Sequence, residues 1–287
     1  MLSIDPSAIP VQQLHAYLLG AVGPRPIAFA STIDKDGNPN LAPFSFFNVF
    51  SSKPPLLIFS PNRSGKTGDT KHTHENVKEV PEVVVNVVSY SMVHQMSLTS
   101  SPYAKGVDEF VKSGFTKLAS ETVRPFRVAE SPVQLECKVL EVKELGTTGG
   151  AGNLIICEVL KMHISEEVLN EKGIIDQHKI DLVARMGGNW YCRAHGNALF
   201  ELEKPVTTLG LGVDVLPETI RHSKVLTGNN LGQLGNLEVM PTNEEVEAFK
   251  QSHCKYGTET ELHTRIKELL DTQQVKEAWL TMLSSLN

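Results

Sequence analysis

The chain has 287 residues, 40% of them hydrophobic and 21% charged, with a formal net charge of −6. That length holds one large domain, or one domain with an appendage. The acidic balance and the scattered placement of Lys and Arg give no reason to expect nucleic acid or an anionic membrane as partner. Cys137, Cys157, Cys192 and Cys254 are widely spaced and form no C-x-x-C pair. They suggest neither a zinc site nor a disulfide framework, but reduced thiols in a cytoplasmic protein. The first residues lack the charged start and apolar run of a signal peptide, and no stretch approaches the ~20 apolar residues of a membrane span.

Residues 1–22 read as a lead-in with a short helix, because Val11, Leu14 and Leu18 fall at helical spacing and Gly20 can end it. Ile27 to Ile33 is an apolar, β-branched strand. Asp34-Lys35-Asp36-Gly37 reverses the chain, with Gly37 supplying the positive φ of such a turn. Ala42 to Asn48 reads as an aromatic, polar loop that follows a second strand, and Ala42 to Ser52, APFSFFNVFSS, is the strongest ligand-binding candidate. Leu56 to Phe59 and Glu82 to Val88 are further strands, Thr73 to Glu79 and Ser91 to Leu98 are helical patches between strands, and Asp108 to Ser113 reads as a short turn. Val133, Leu135, Cys137 and Val139 alternate, and then the apolar phase slips to Leu140 and Val142. A slip of one position marks a β-bulge. Leu154 to Leu160 pairs with that strand across a long, flexible Gly146–Gly152 loop.

From about Leu202 the character changes. Leu209 to Leu237 is rich in Gly, Asn and Leu without a clear period. Thr242-Asn243-Glu244-Glu245 is a capping box. A longer helical pattern follows, carrying Leu262, Ile266, Leu269, Val275, Trp279 and Leu283 on one broad face. The expected organisation is a lead-in (1–22), a β domain (23–201) and a mainly helical C-terminal extension (202–287). Strands without alternating long helices favour a small antiparallel barrel with helical insertions over a doubly wound sheet.

Ser60 to Thr67, SPNRSGKT, ends like a P-loop. It has Ser60 where a glycine is needed, and Gly68-Asp69 argues against a helix directly after Thr67, so a flexible basic surface loop is the better reading. Arg63, Lys66, Lys71 and Thr73 still converge within eleven residues. If Thr73 starts a helix, its free N–H groups point at any anion there. His72 and His74 lie two apart and do not share a helix face, which favours surface histidines over a metal site. No metal ligand set is assigned. Phe44, Phe46, Phe47 and Phe50 divide between core and ligand wall. Ser45, Asn48, Ser51 and Ser52 need partners amid apolar neighbours, which points to a flat amphipathic ligand. The glycines at 146–152 and 210–212 read as turns. No G-x-S-x-G or Cys-His set supports hydrolase chemistry.

Gly23 to Asn48, Lys71-His72-Thr73 through Asn76, Val107 to Phe110, Val123 to Pro132 and Gly187 to Tyr191 follow one another in an order that resembles the flavin reductase-like family with the FMN-binding split barrel. The resemblance covers roughly residues 20–195. It implies a six-stranded antiparallel Greek-key split barrel that dimerises, with FMN at the subunit interface. By resemblance, Arg63, Lys71, Thr73 and Asn76 grip the phosphate, with His72 standing where the family usually has Asp. Ser45, Phe46, Phe47 and Asn48 line the flavin edge, Ser51 and Ser52 lie close by, and Arg25 and the strand carrying Ser31 and Thr32 supply further ligands. Trp190, Tyr191, His163 and Arg185 are candidates for a substrate face, with core, dimer-contact or structural roles as the competing reading. The implied activity is NAD(P)H-dependent flavin reduction by hydride transfer to flavin N5, with no catalytic side chain, because the cofactor carries the electrons. A flavin-dependent monooxygenase or another acceptor would be the partner. The alternative is an FMN-binding electron carrier without NAD(P)H activity. A pyridoxamine-phosphate oxidase-like activity fits the motifs less well.

Overall fold

The computed structural model describes residues 1–202, 205–252 and 256–285; Cys254 lies outside them. The chain divides into two compact units, 1–200 and 201–287. The first is built on a seven-stranded sheet in the order β2-β1-β5-β8-β9-β4-β3. Its strands are β1 (Ala28–Ile33), β2 (Pro39–Phe44), β3 (Phe47–Ser52), β4 (Pro55–Phe59), β5 (Glu82–Asn86), β8 (Val133–Glu144) and β9 (Asn153–Ile164). Two small ladders complete the set: β6 (Lys117–Leu118) with β7 (Arg127–Val128), and β10 (Val183–Arg185) with β11 (Tyr191–Arg193). All pairings within these sheets are antiparallel. The helices of this unit are α1 (Val11–Ala21), α2 (His72–Glu79), α3 (Val93–Leu98) and α4 (Glu109–Ser113).

Seven strands replace the expected six. The extra strand is β3, which takes in Phe47 and Asn48 of the expected aromatic loop and leaves only Ser45 and Phe46 between β2 and β3. It pairs only with β4 and lies at the sheet edge, so no buried face imposes an alternating pattern on its sequence. The sheet curls until its two halves meet: Phe44 of β2 stacks on Phe59 of β4 with ring centroids 5.7 Å apart. One face then closes on itself, gathering Ala28, Ala30, Leu57, Phe59, Val83, Val85, Leu135, Cys137, Ile155 and Cys157 in one core. The other face of β1 packs Ile27 and Phe29 against Met92, Met96 and Phe110 from the α3–α4 segment. β1 is therefore buried on both faces, which is why its sequence is continuously apolar or small.

The predicted bulge is present. The register between β8 and β9 shifts between Val139 and Glu141, leaving Leu140 unpaired. A second shift leaves Leu160 of β9 unpaired, and together the two bulges bend the longest hairpin of the sheet. The turn after β1 also follows the sequence: Gly37 has φ 86°, and its N–H donates to the Asp34 carbonyl at 3.1 Å.

The second unit is helical: α5 (Glu218–Arg221), α6 (Gly228–Gly235), α7 (Asn243–Ser252), α8 (Glu259–Asp271) and α9 (Val275–Ser285). Its core gathers Leu216, Ile220, Leu234, Ile266, Leu269, Trp279 and Met282. The long helical pattern is two helices, broken where Gln273 takes φ 62°. The capping box at Thr242 and Glu245 forms as read, with reciprocal bonds of 2.8 and 3.2 Å. The stretch without a clear period holds α5 and α6, and α6 starts on a capping box of its own between Thr227 and Asn230. Thr227→Ala is expected to lower the stability of this unit by about 1 kcal/mol. The check is the denaturant midpoint read from Trp279 fluorescence; no change would mean that the cap contributes nothing. Among the described residues, no helix is long and apolar enough to cross a membrane.

Candidate functional site

The segment between β4 and α2 carries the convergent cations, and its shape is set by the β8–β9 hairpin. Arg63 N–H donates to the Ala151 carbonyl at 2.9 Å, and Gly150 N–H donates back to the Arg63 carbonyl at 3.2 Å. The Arg63 guanidinium donates to the carbonyls of Gly146 and Gly68, both at 3.2 Å, and lies 3.7 Å from Glu144. Asn153, fully buried, donates to Ser60 Oγ and to the Pro61 carbonyl, both at 2.9 Å. Neither the 60–67 loop nor the Gly146–Gly152 loop is therefore the loose surface feature that composition suggests, because backbone carbonyls and amides of one satisfy those of the other. The P-loop reading fails on the same geometry: α2 begins only at His72.

α2 packs on β1 and β2 through a buried polar cluster. Asn76 Nδ2 donates to Thr32 Oγ1 at 3.2 Å, and Asn40 Nδ2 donates to Thr73 Oγ1 at 2.9 Å. Thr73 and Asn76 thus join the helix to the sheet. Lys71 occupies the N-cap position without a side-chain cap bond, and the Lys71 side chain is exposed. It makes no ion pair among the described residues, and nor does Lys66. The first turn of α2 has unsatisfied N–H groups and the positive end of the helix dipole, with two free lysines in the flanking segment. That arrangement favours a bound anion.

His74 corrects the surface reading of the histidines. It is buried, with Nε2 3.2 Å from Glu144 Oε1. Burial pushes its imidazole below the ordinary value, against the pull of Glu144. Glu144 also receives Lys78 at 3.0 Å, so one carboxylate at the end of β8 meets Arg63, His74 and Lys78. Sequence reading missed Glu144, Ser60 and Asn153; the only signal was their position at the ends of strands flanking loops of interest.

The remaining candidates fall into four groups. Ser45 and Phe46 form the short β2–β3 connection, and Phe47, Asn48, Ser51 and Ser52 lie on edge strand β3. Phe44 and Phe47 pack against the core, while Phe46 and Phe50 are exposed. Asn48 Oδ1 accepts from Val49 N–H at 2.8 Å. Ser31 and Thr32 are buried in β1, and Ser31 Oγ has no hydrogen-bond partner. Arg25 is buried, and its guanidinium donates to the carbonyls of Leu19, Val22 and Met186. This fastens the end of α1 to the β10–β11 hairpin and leaves only Nε unpaired. Arg185 lies 4.5 Å from the Tyr191 ring on that hairpin, and Trp190 at its turn is 77% exposed. Ala16, Met186, Trp190 and Tyr191 line a shallow recess there. His163 is not part of either region: its Nε2 lies 2.7 Å from the buried Glu136 on the adjoining strand.

A curled antiparallel sheet with an anion-favouring helix start beside its rim defines the class, and the comparisons name it. The chain matches the flavin reductase like domain model over residues 21–181 and belongs to that family. A protein of Aquifex aeolicus is 37% identical over 184 residues, spanning 64% of this chain and 91% of its own. The crystal structure of nitrilotriacetate monooxygenase component B from Bacillus cereus is 31% identical with a TM-score of 0.66, over 70% of this chain and 98% of its own. A split-barrel structure from Shewanella frigidimarina, 24% identical with a TM-score of 0.58, covers 69% of this chain and 96% of its own and shares the fold. The family match ends before the helical second unit.

Proposed function

We propose that the chain is an FMN-binding oxidoreductase that reduces flavin at the expense of NAD(P)H, acting as a cytoplasmic homodimer on a split barrel. The observation that carries this reading is the uncapped start of α2 with Lys71 at its N-cap, in a chain of the flavin reductase-like family. The donor set there fits a phosphate monoester: backbone N–H groups at the helix start and the Lys71 ammonium, which makes no ion pair among the described residues. Arg63, Thr73 and Asn76 act through that framework, each bonded within the protein. Ser45, Phe46, Phe47 and Asn48 would flank the ring, with Ser31, Thr32, Ser51, Ser52 and Arg25 around them, and Trp190, Tyr191 and Arg185 would shape the donor side. Bound FMN would supply the hydride acceptor. The protein's part is orientation, exclusion of water and placement of N–H dipoles where negative charge develops. Self-association is supported by apolar residues left exposed on β3, with Val49 61% and Phe50 63% exposed, and by α1, which buries no residue within the chain. The likeness to a monooxygenase component supports transfer of reduced flavin to a monooxygenase.

Steady-state oxidation of NADH and NADPH with added FMN tests the reading. The expected result is a rate well above that of free flavin with one of the two donors. A rate equal to free flavin, in a protein that still binds FMN, would favour the electron-carrier alternative.

A further inference from the structure

We infer that the tip of the β8–β9 hairpin is a brace that sets the working shape of the cationic segment, with Gly149 as its positioning residue. The inference rests on the proposed phosphate site and goes beyond it, because no hairpin residue is assigned to ligand contact.

Three observations converge on the tip. Backbone bonds join Arg63 to Ala151 and Gly150, and side-chain bonds join Asn153 to Ser60 and Pro61. Glu144, at the end of β8 where the tip loop begins, meets both the 60–67 loop, through Arg63, and α2, through His74 and Lys78. The hairpin thus touches both halves of the anion-favouring region and fixes one against the other. Gly149 makes the close approach possible. A Cβ there would lie 2.9 Å from the Ser64 carbonyl oxygen and 3.3 Å from that of Gly65. Both are backbone atoms and cannot rotate away. The Ser64 carbonyl already accepts from Gly68 N–H at 2.8 Å, closing the turn that carries Lys66 and leads to Lys71. Any side chain at 149 must push that turn out of place. Gly149 does not adopt the left-handed φ that favours glycine, so a substitution there acts through this contact and not through backbone strain.

The test compares FMN and riboflavin, which differ only by the phosphate, on full-length wild type and Gly149→Ala. Wild type is expected to prefer FMN. Gly149→Ala is expected to lose roughly tenfold in FMN affinity, the worth of about one charge-assisted contact, while riboflavin affinity stays within about twofold. Unchanged riboflavin affinity also reports that the variant is folded. If Gly149→Ala does not fold, Gly152→Ala applies a gentler displacement to the same loop, since its Cβ meets Ser60 Oγ at 3.1 Å and a Leu145 methyl at 3.3 Å. A smaller loss of FMN preference is then expected. A wild type that prefers FMN and a variant that keeps the full preference would overturn the brace and leave the phosphate site standing. A wild type with no preference would overturn both.

Discussion

Lys71→Ala is expected to weaken FMN by tenfold to a hundredfold while leaving riboflavin nearly unchanged. The exposed ammonium makes no ion pair among the described residues, so its removal breaks no internal contact of that kind. What it loses is one charge-assisted contact to the phosphate, worth roughly 1.5–3 kcal/mol. The same argument does not hold for Arg63 or Thr73. Each is bonded within the protein, so truncation there disturbs the loop or the helix dock along with the ligand. Lys71 is therefore the cleaner probe. Fluorescence titration of both flavins checks it, and an equal loss for the two would sink the phosphate assignment. Added salt should erode the FMN preference of the wild type, because an exposed cation is screened.

Glu136→Ala is expected to cost roughly 3–5 kcal/mol of stability, the usual consequence of removing one member of a buried charged cluster. The Glu136 side chain is fully buried. Its carboxylate accepts from Glu121 N–H at 2.9 Å, Thr122 N–H at 2.6 Å and Thr122 Oγ1 at 2.5 Å, and it lies 2.7 Å from His163 Nε2. Burial opposes ionisation, but the bonds from Thr122 and the Glu121 amide, with His163 beside them, outweigh it and hold the group at about 2. These bonds fasten the 119–127 segment to β8. The carboxylate is depressed from 4.5, so its contribution is fully present above about pH 4.5 and is lost as pH falls through about 2. Wild type and variant should therefore differ most near neutrality and converge on acidification. Urea midpoints measured between pH 7 and pH 3 check this, and a gap that stays constant would show that folding does not lower the pKa of the carboxylate.

That result would also explain His163. Its place on a strand end matched a site position by resemblance, yet its neighbour is a structural carboxylate. Sequence could not show this, because Glu136 and His163 come together only through the β8–β9 register, where Gln134 pairs with His163 and Glu136 with Lys161. Arg25 is similar. An arginine near a glycine-proline turn looks available for a ligand, yet the carbonyls of Leu19 and Val22 and, from far along the chain, Met186 turn its guanidinium into a clamp.

Local rules were legible where local physics decides. The turn at Gly37, the bulge at Leu140 and the cap at Thr242 each follow from a positive φ, a phase slip and a reciprocal bond within a few residues. The identity of the cationic segment was legible too, because charge and glycine spacing are written in one stretch. Other features needed the third dimension. β3 has no periodic signal because an edge strand has no buried face to pattern it. His74 is buried because Glu144 and the β8–β9 hairpin reach α2, not because of its neighbours in sequence. Local sequence settles the β character, the family, and which residues could meet an anion. Which of them remain free to do so depends on contacts made by the fold: the Gly146 carbonyl and the Glu144 carboxylate engage Arg63, the carbonyls of Leu19, Val22 and Met186 engage Arg25, the Asn40 amide donates to Thr73, and Lys71 is left without an ion pair among the described residues.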